Sequence, residues 1–327
     1  MKSGERLKDG FCFFSIFFLM AVSIPAAFAA DEPYPNRPIN VILNMAPGSL
    51  MDNHARILGE RLAELLGQPF LRIHKPGGGG SLAASFVAKS KPDGYTLLTG
   101  TSTTNILIPL VKKVDYTIDD LYPLGIYARA PHYLIVKADA PWKTFQEFIE
   151  DARARPGQLK IASYGKQTYG DFVIEDLNKK AGIKLVQLPT KGCAEAVSML
   201  LGGNVDADVC TSSVGQVEAG TVRILALSDE KRSELFPNVK TFKEWGYPVS
   251  FFGLFSLCAP AKTPQPILNT LSNAMQEVFK RHGQQIREEL RRLENVAFFC
   301  DPAQSIQEFK KSYEEAYRVA KEMGYIQ

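Results

Sequence analysis

No C-x-x-C pair occurs among the five cysteines, which removes the usual spacing of a thiol redox centre or a zinc site. His54, His74, His132 and His282 are scattered, with no i, i+4 pair and no cluster at metal-ligand spacing, so no metal centre is expected. Gly-x-Ser-x-Gly is absent, and no local arrangement couples a nucleophile to a base. That weakens an enzymatic reading without deciding it, because catalytic triads assemble in space. The run Pro76 to Gly80 lacks the Lys-Ser/Thr of a P-loop and the spacing of a dinucleotide fingerprint, so no cofactor is expected and the run reads as a tight backbone turn. Charge of one sign is scarce too: +3 over 327 residues gives nucleic acid no electrostatic footprint. Beyond the first 30 residues there is no long apolar run, and no internal repeat is visible.

What is present begins with a leader. Lys2, Arg6 and Lys8 precede an apolar run from Phe11 to Phe28 and the small-x-small site Ala27-Phe28-Ala29, followed by Asp31-Glu32-Pro33. This predicts a cleaved signal peptide over residues 1–29 and an exported, soluble chain in the periplasm. A membrane anchor is the alternative, since the run approaches the roughly 20 residues that span a bilayer. The leader carries three basic and two acidic residues, so the mature charge falls from +3 to +2. The mature length exceeds one ordinary core, and two lobes are expected. Cys12 leaves with the leader; Cys193, Cys210, Cys258 and Cys300 enter an oxidising compartment. They allow three connectivities, of which Cys258 to Cys300 and Cys193 to Cys210 are the pairings to test, or they serve as small apolar core residues.

From Pro38 onward, short apolar runs alternate with amphipathic segments, the pattern of an α/β sheet with covering helices. The expected order starts with a strand at Ile39 to Met45, a helix from Asp52 to Leu66 closed by Gly67, and a strand at Pro69 to Ile73. The glycine turn follows, then a helix from Ser81 to about Lys91 and a strand at Tyr95 to Thr99. A second group has strands at Tyr133 to Val136, Leu159 to Ala162, Lys184 to Leu188, Val205 to Cys210 and Val222 to Leu227, with helices opening at Thr144 and about Tyr169. A strand at Phe251 to Cys258, a helix to about His282, a further helix, a strand at Val296 to Cys300 and a helix capped by Asp301-Pro302 complete the chain. The chain is therefore expected to cross back to its first lobe near Ser250, and two crossings make a hinge.

The order of turns resembles the solute-binding proteins of tripartite tricarboxylate transporters, the Bug or TctC family, over nearly the whole mature chain. The likeness rests on Tyr34-Pro35-Asn36-Arg37-Pro38-Ile39, Ala46-Pro47-Gly48 with Asp52, Pro76 to Gly80 and Lys91-Pro92-Asp93-Gly94-Tyr95. It continues through Ala162-Ser163 with Gly165 and Thr168, Lys191-Gly192, and Leu201-Gly202-Gly203-Asn204-Val205-Asp206. The resemblance implies a type II periplasmic binding protein fold, two α/β lobes joined by a two-strand hinge. Lobe one is expected over 32–130 plus 252–327 and lobe two over 131–251. It also implies a small carboxylate ligand, a dicarboxylate favoured, membrane permease subunits as partners and no enzymatic activity; a monomer is the default. Ser49-Leu50-Met51, Tyr164, Lys166, Gln167 and Cys210-Thr211-Ser212 depart from the family's usual residues.

The strand-to-loop junctions supply the candidate ligand residues, because ligands of open α/β sheets bind at the carboxyl ends of strands. Gly48 and Ser49 lie on the first loop, with Leu50, Met51 and Phe252 as apolar flanks for a longer or aromatic ligand. Thr101, Ser102, Thr103, Ser163 and Thr168 offer short hydroxyls for a carboxylate. Gly165 shapes the lobe-two loop, on which Lys166 is set against a second carboxylate and Tyr164 beside it. Each has a plainer reading: a solvated lysine, core apolar residues, and helix capping for Asp52. The rival functions are a ligand sensor for a two-component system and a hydrolase using Ser163 or Cys210.

Overall fold

The computed structural model describes residues 33–211 and 214–327, so the expected leader and Ser212 lie outside the described residues. The first third of the chain lays down three mutually parallel strands. β1 (Ile39–Leu43) pairs with β2 (Phe70–His74) on one side and β3 (Thr96–Thr101) on the other. Between them, α1 (Leu50–Leu66) buries Met51, Ala55, Leu58 and Leu62 as one stripe and stops at Gly67, whose φ of 68° only glycine adopts freely. The shorter α2 (Ser81–Ala88) packs Ala83, Ala84 and Val87 on the opposite face of the sheet. After β3 come a π-turn at Thr103–Leu107 and the brief α3 (Ile108–Val111).

β4 (Leu121–Lys137) is the organising element. Its first part pairs antiparallel with β9 (Phe252–Pro260) and β10 (Val296–Cys300), and from His132 onward it pairs instead with β8 (Val222–Ser228) and β7 (Ala207–Cys210). The second sheet is completed by β5 (Lys160–Ser163) and β6 (Val186–Pro189), parallel to one another and to β7. α4 (Phe145–Ala154) and α5 (Tyr169–Ala181) cover one of its faces; Phe145, Phe148, Phe172 and Leu177 are fully buried there, each worth about 1.5–3 kcal/mol of apolar transfer. α6 (Cys193–Leu201) covers the other, and α7 (Val214–Glu218) follows β7.

Several elements depart from the sequence reading. The strand expected at Tyr133 to Val136 is the end of a far longer one, whose first half is broken in pattern by Pro123 and Gly125. The two helices expected before β10 are one continuous α8 (Gln265–Arg292), which carries Gly283 in its interior. The terminal helix α9 (Pro302–Glu322) starts as expected, with Asp301 as its N-cap. Its start covers the first sheet, where Ser305 Oγ accepts from Ile126 N at 2.9 Å, while Ala316, Val319 and Ala320 pack in the core of the second. α9 therefore bridges the two sheets.

Candidate functional site

In the first sheet the carboxyl ends of β1, β2 and β3 converge. Asn44, just past β1, donates from Nδ2 to Thr104 Oγ1 at 2.9 Å, and Thr104 Oγ1 lies 3.1 Å from Thr101 Oγ1. The four-glycine turn approaches this pair so closely that a Cβ on Gly80 would sit 2.6 Å from Thr104 Oγ1 and 2.8 Å from Asn44 Nδ2. The turn is thus built for backbone approach, as its composition suggested. The side-chain carbonyl of the cluster, Asn44 Oδ1, is buried and has no hydrogen-bond partner among the described residues. Thr101 and Thr103 are half-buried at the rim.

The loop after β1 is self-contained. Ser49 is the N-cap of α1, accepting from Asp52 N at 3.4 Å, while Asp52 Oδ2 accepts from Gly48 N at 2.9 Å. That Gly48 N–H holds the Asp52 carboxyl below the ordinary carboxylate range, with His74 and Arg72, each 3.1 Å from Oδ1, adding to it. Asp52 is therefore an anion with three donors already in place.

The second sheet presents the ends of β5, β6 and β7 in the same way. Ser163 Oγ accepts from Gln187 Nε2 at 2.6 Å, and Ser163 O accepts from Thr190 N at 2.8 Å. Thr190 Oγ1 lies 3.0 Å from Ser163 O, which binds the end of β5 to the loop after β6, and 2.9 Å from Gly192 O within that loop. Thr168 caps α5, accepting from Asp171 N at 3.4 Å and donating to Gly165 O at 2.7 Å. Lys166 is engaged: its Nζ is 2.9 Å from Oδ1 of the fully buried Asp171, touches Gln187 Oε1, and is 3.8 Å from Glu175. Asp171 also accepts from Gln167 N and Tyr325 OH, each at 2.8 Å.

His132 is the residue that the sequence reading passed over. It sits where β4 changes sheets, with Nδ1 2.9 Å from Phe251 O and Nε2 2.7 Å from Tyr164 OH. Burial pushes its pKa down to about 4, so the ring is neutral. A carbonyl can only accept, so Nδ1 carries the hydrogen and Nε2 accepts from Tyr164. Tyr164 OH accepts in turn from Gly170 N at 3.1 Å, which leaves it anchored between the crossing strands and the start of α5. The signal for His132 in the sequence was a single polar residue within the apolar run Tyr133 to Val136 and its approach.

The remaining candidates fall into place as follows. Ser102 is fully buried, donating to Phe252 O and accepting from Leu254 N at 3.0 Å. Met51 is fully buried in the first core and Leu50 packs against it. Phe252 lies under the Arg129 guanidinium, 4.1 Å from its ring centre. Cys210 is disulfide-bonded to Cys193, so it holds no thiol, whereas Cys258 and Cys300 are free and buried and do not pair. Two helices that open at strand ends, α2 and α6, start on glycine N-caps, Gly80 and Gly192, with no side-chain cap. Gln167 occupies the left-handed region at φ 57°, which costs a non-glycine residue about 1–2 kcal/mol. Gln167→Gly should therefore raise the unfolding free energy by about 1 kcal/mol in a denaturant titration; an unchanged or lower value would mean that its side chain repays the strain.

A family model described as tripartite tricarboxylate transporter family receptor matches residues 54–324. The UPF0065 protein in the gbd 5' region of Cupriavidus necator is 32% identical over 304 residues, covering 92% of each chain. Among solved structures, R. palustris Rpa4515 with adipate matches with a TM-score of 0.76 at 27% identity, covering 89% of this chain and 98% of that one. MatC from Rhodopseudomonas palustris with bound malate matches with a TM-score of 0.71 at 26% identity, covering 88% and 99%.

Proposed function

The chain belongs to the tripartite tricarboxylate transporter receptor family, and from that premise we propose that it is a periplasmic binding protein which captures a small dicarboxylate and delivers it to membrane permease subunits. The observation that carries this reading is the paired arrangement of strand ends. Each sheet turns hydroxyls and one helix that starts on a glycine without a side-chain cap toward its carboxyl edge. Unpaired N–H groups and the helix dipole suit a carboxylate at each such edge. The adipate and malate carried by the two Rhodopseudomonas proteins, both dicarboxylates, agree with it.

In this reading the lobes are 32–130 plus 252–327 and 131–251, with α9 bridging them, and β4 and the chain at Phe251 form the hinge. The ligand touches both lobes only when they close, so binding shifts the population toward closure. Thr101, Thr103 and Asn44 serve one carboxylate on lobe one. The second carboxylate faces Lys191, because Lys166 is neutralised by Asp171 and Glu175 whereas no ion pair engages Lys191 among the described residues. Lys191→Ala should weaken a dicarboxylate by about 1.5 kcal/mol, roughly tenfold in Kd, and barely change its monocarboxylate analogue. Lys166→Ala should lower the melting temperature more than the affinity. Equal losses for both acids on replacing Lys191, measured by titration calorimetry, would remove that lysine from the site.

A further inference from the structure

The loops after β5 and β6 and the end of β7 meet at the carboxyl edge of the second sheet, and they are fastened to one another in sequence. The first, after β5, is tied to the second, after β6, by Thr190, whose N–H donates to Ser163 O at 2.8 Å. The second is braced within itself, since Thr190 Oγ1 lies 2.9 Å from Gly192 O and Glu195 accepts from Lys191 N at 2.7 Å. The end of β7 is reached by a covalent bond: Cys193, the first residue of α6, is joined to Cys210, the last residue of β7, with Cα atoms 5.6 Å apart.

The position of this bond matters more than its presence. It does not staple a distant surface loop. It joins the uncapped start of α6, immediately after Lys191-Gly192, to the strand end that leads into Thr211. Packing also holds α6, through Ala196, Val197 and Leu200 on its inner face, but those contacts lie further along the helix and leave its first turn to the disulfide, Thr190 and Glu195. A helix start that receives an anion must sit within a few tenths of an ångström of its working position, or the ligand spends its interaction energy on ordering the loop.

We infer that the Cys193–Cys210 disulfide is a positioning element of the ligand site, which holds the loop after β6 and the end of β7 in binding geometry rather than merely stabilising the fold. The inference rests on the dicarboxylate-binding reading given above. Its test is calorimetric titration of the intact wild-type protein with succinate, malate and adipate, followed by the same titrations on Cys193→Ala/Cys210→Ala and Cys193→Ser/Cys210→Ser. A wild-type sample reduced with a phosphine and then alkylated provides a third disulfide-free form should either variant fail to fold. Ile149→Val, a buried substitution on α4 away from these loops, serves as the control for lowered stability.

The expected result is a Kd weakened about tenfold in every disulfide-free form at a temperature where all are folded, while Ile149→Val lowers the melting temperature and leaves Kd alone. If the disulfide-free forms melt lower but bind with the wild-type Kd, the bond is structural only and the inference falls while the functional reading stands. If the wild type binds none of the three acids, the reading itself falls and takes the inference with it.

Discussion

Replacing Asp208 by asparagine is expected to stabilise the protein by about 4 kcal/mol at pH 7, and by little or nothing below pH 4. Asp208 lies on β7 between Ile135 of β4 and Ala162 of β5, is fully buried, and has no hydrogen-bond partner on either carboxylate oxygen among the described residues. The α6 residues on its side of the sheet, Ala196, Val197 and Leu200, bring no charge to it. Burial therefore drives its pKa up to about 8. The unfolded chain ionises near 3.8 and the folded chain near 8, so between those values the unfolded state alone gives up the proton. The stability of the wild type relative to Asp208→Asn should fall as pH rises through that window, by at most about 1.36 kcal/mol per pH unit, and level off above it; the comparison cancels the opposite slope of the buried neutral His54 and His132. Denaturant unfolding at pH 5, 7 and 8.5 decides the matter, and parallel curves for the two proteins would show that the carboxylate is solvated in the folded state.

Arg129→Ala should cost about 3–5 kcal/mol, the range for removing one partner of a buried ion pair. The guanidinium contacts Asp229, and the two side chains are 11% and 4% exposed, which leaves no water to take over from either partner. Arg129 is sandwiched between the rings of Phe252 and Phe298 at 4.1 and 4.7 Å. Even so, burial outweighs the guanidinium and lifts the Asp229 pKa to about 6, so the carboxylate is only partly compensated. Deleting the arginine strands it, whereas Asp229→Asn should be the milder change. Arg129→Met/Asp229→Leu should recover most of the loss, because neither charge then remains buried. Thermal melts of the three variants test this ordering; a single arginine variant no worse than the double would mean that the pair contributes nothing. The pair also joins the strand that crosses between the sheets to the end of β8, so its loss should loosen the hinge.

The α/β order, the glycine turns and most strand positions could be read from the sequence, because proline and glycine punctuate it and the apolar runs are short and well separated. The close approach at Gly80 follows from local chemistry that a sequence displays, whereas Ser49 and Thr168, read as ligand residues, are the N-caps of α1 and α5, and the capping read at Asp52 falls to Ser49. What could not be read depends on contacts made across the fold. Lys166 looks like a free cation until Asp171 and Gln187 are placed beside it. Tyr164 looks like a ligand contact until His132, 32 residues earlier, takes its hydroxyl. Cys193 and Cys210 were one of several pairings, and only the neighbouring ends of α6 and β7 select it. β4 was half missed because Pro123 and Gly125 interrupt its apolar pattern, and α8 was divided because Gly283 resembles a helix end. Glycine within a long helix costs only about 1 kcal/mol, which the packing of α8 readily exceeds.

The most direct test of the central claim is calorimetric titration of extensively dialysed protein with succinate, malate and adipate, each beside a monocarboxylate of matched length. The expected result is saturable binding of one molecule per chain for at least one dicarboxylate, with the monocarboxylate clearly weaker. Heats that never saturate for any dicarboxylate would contradict the assignment of these strand ends to dicarboxylate capture.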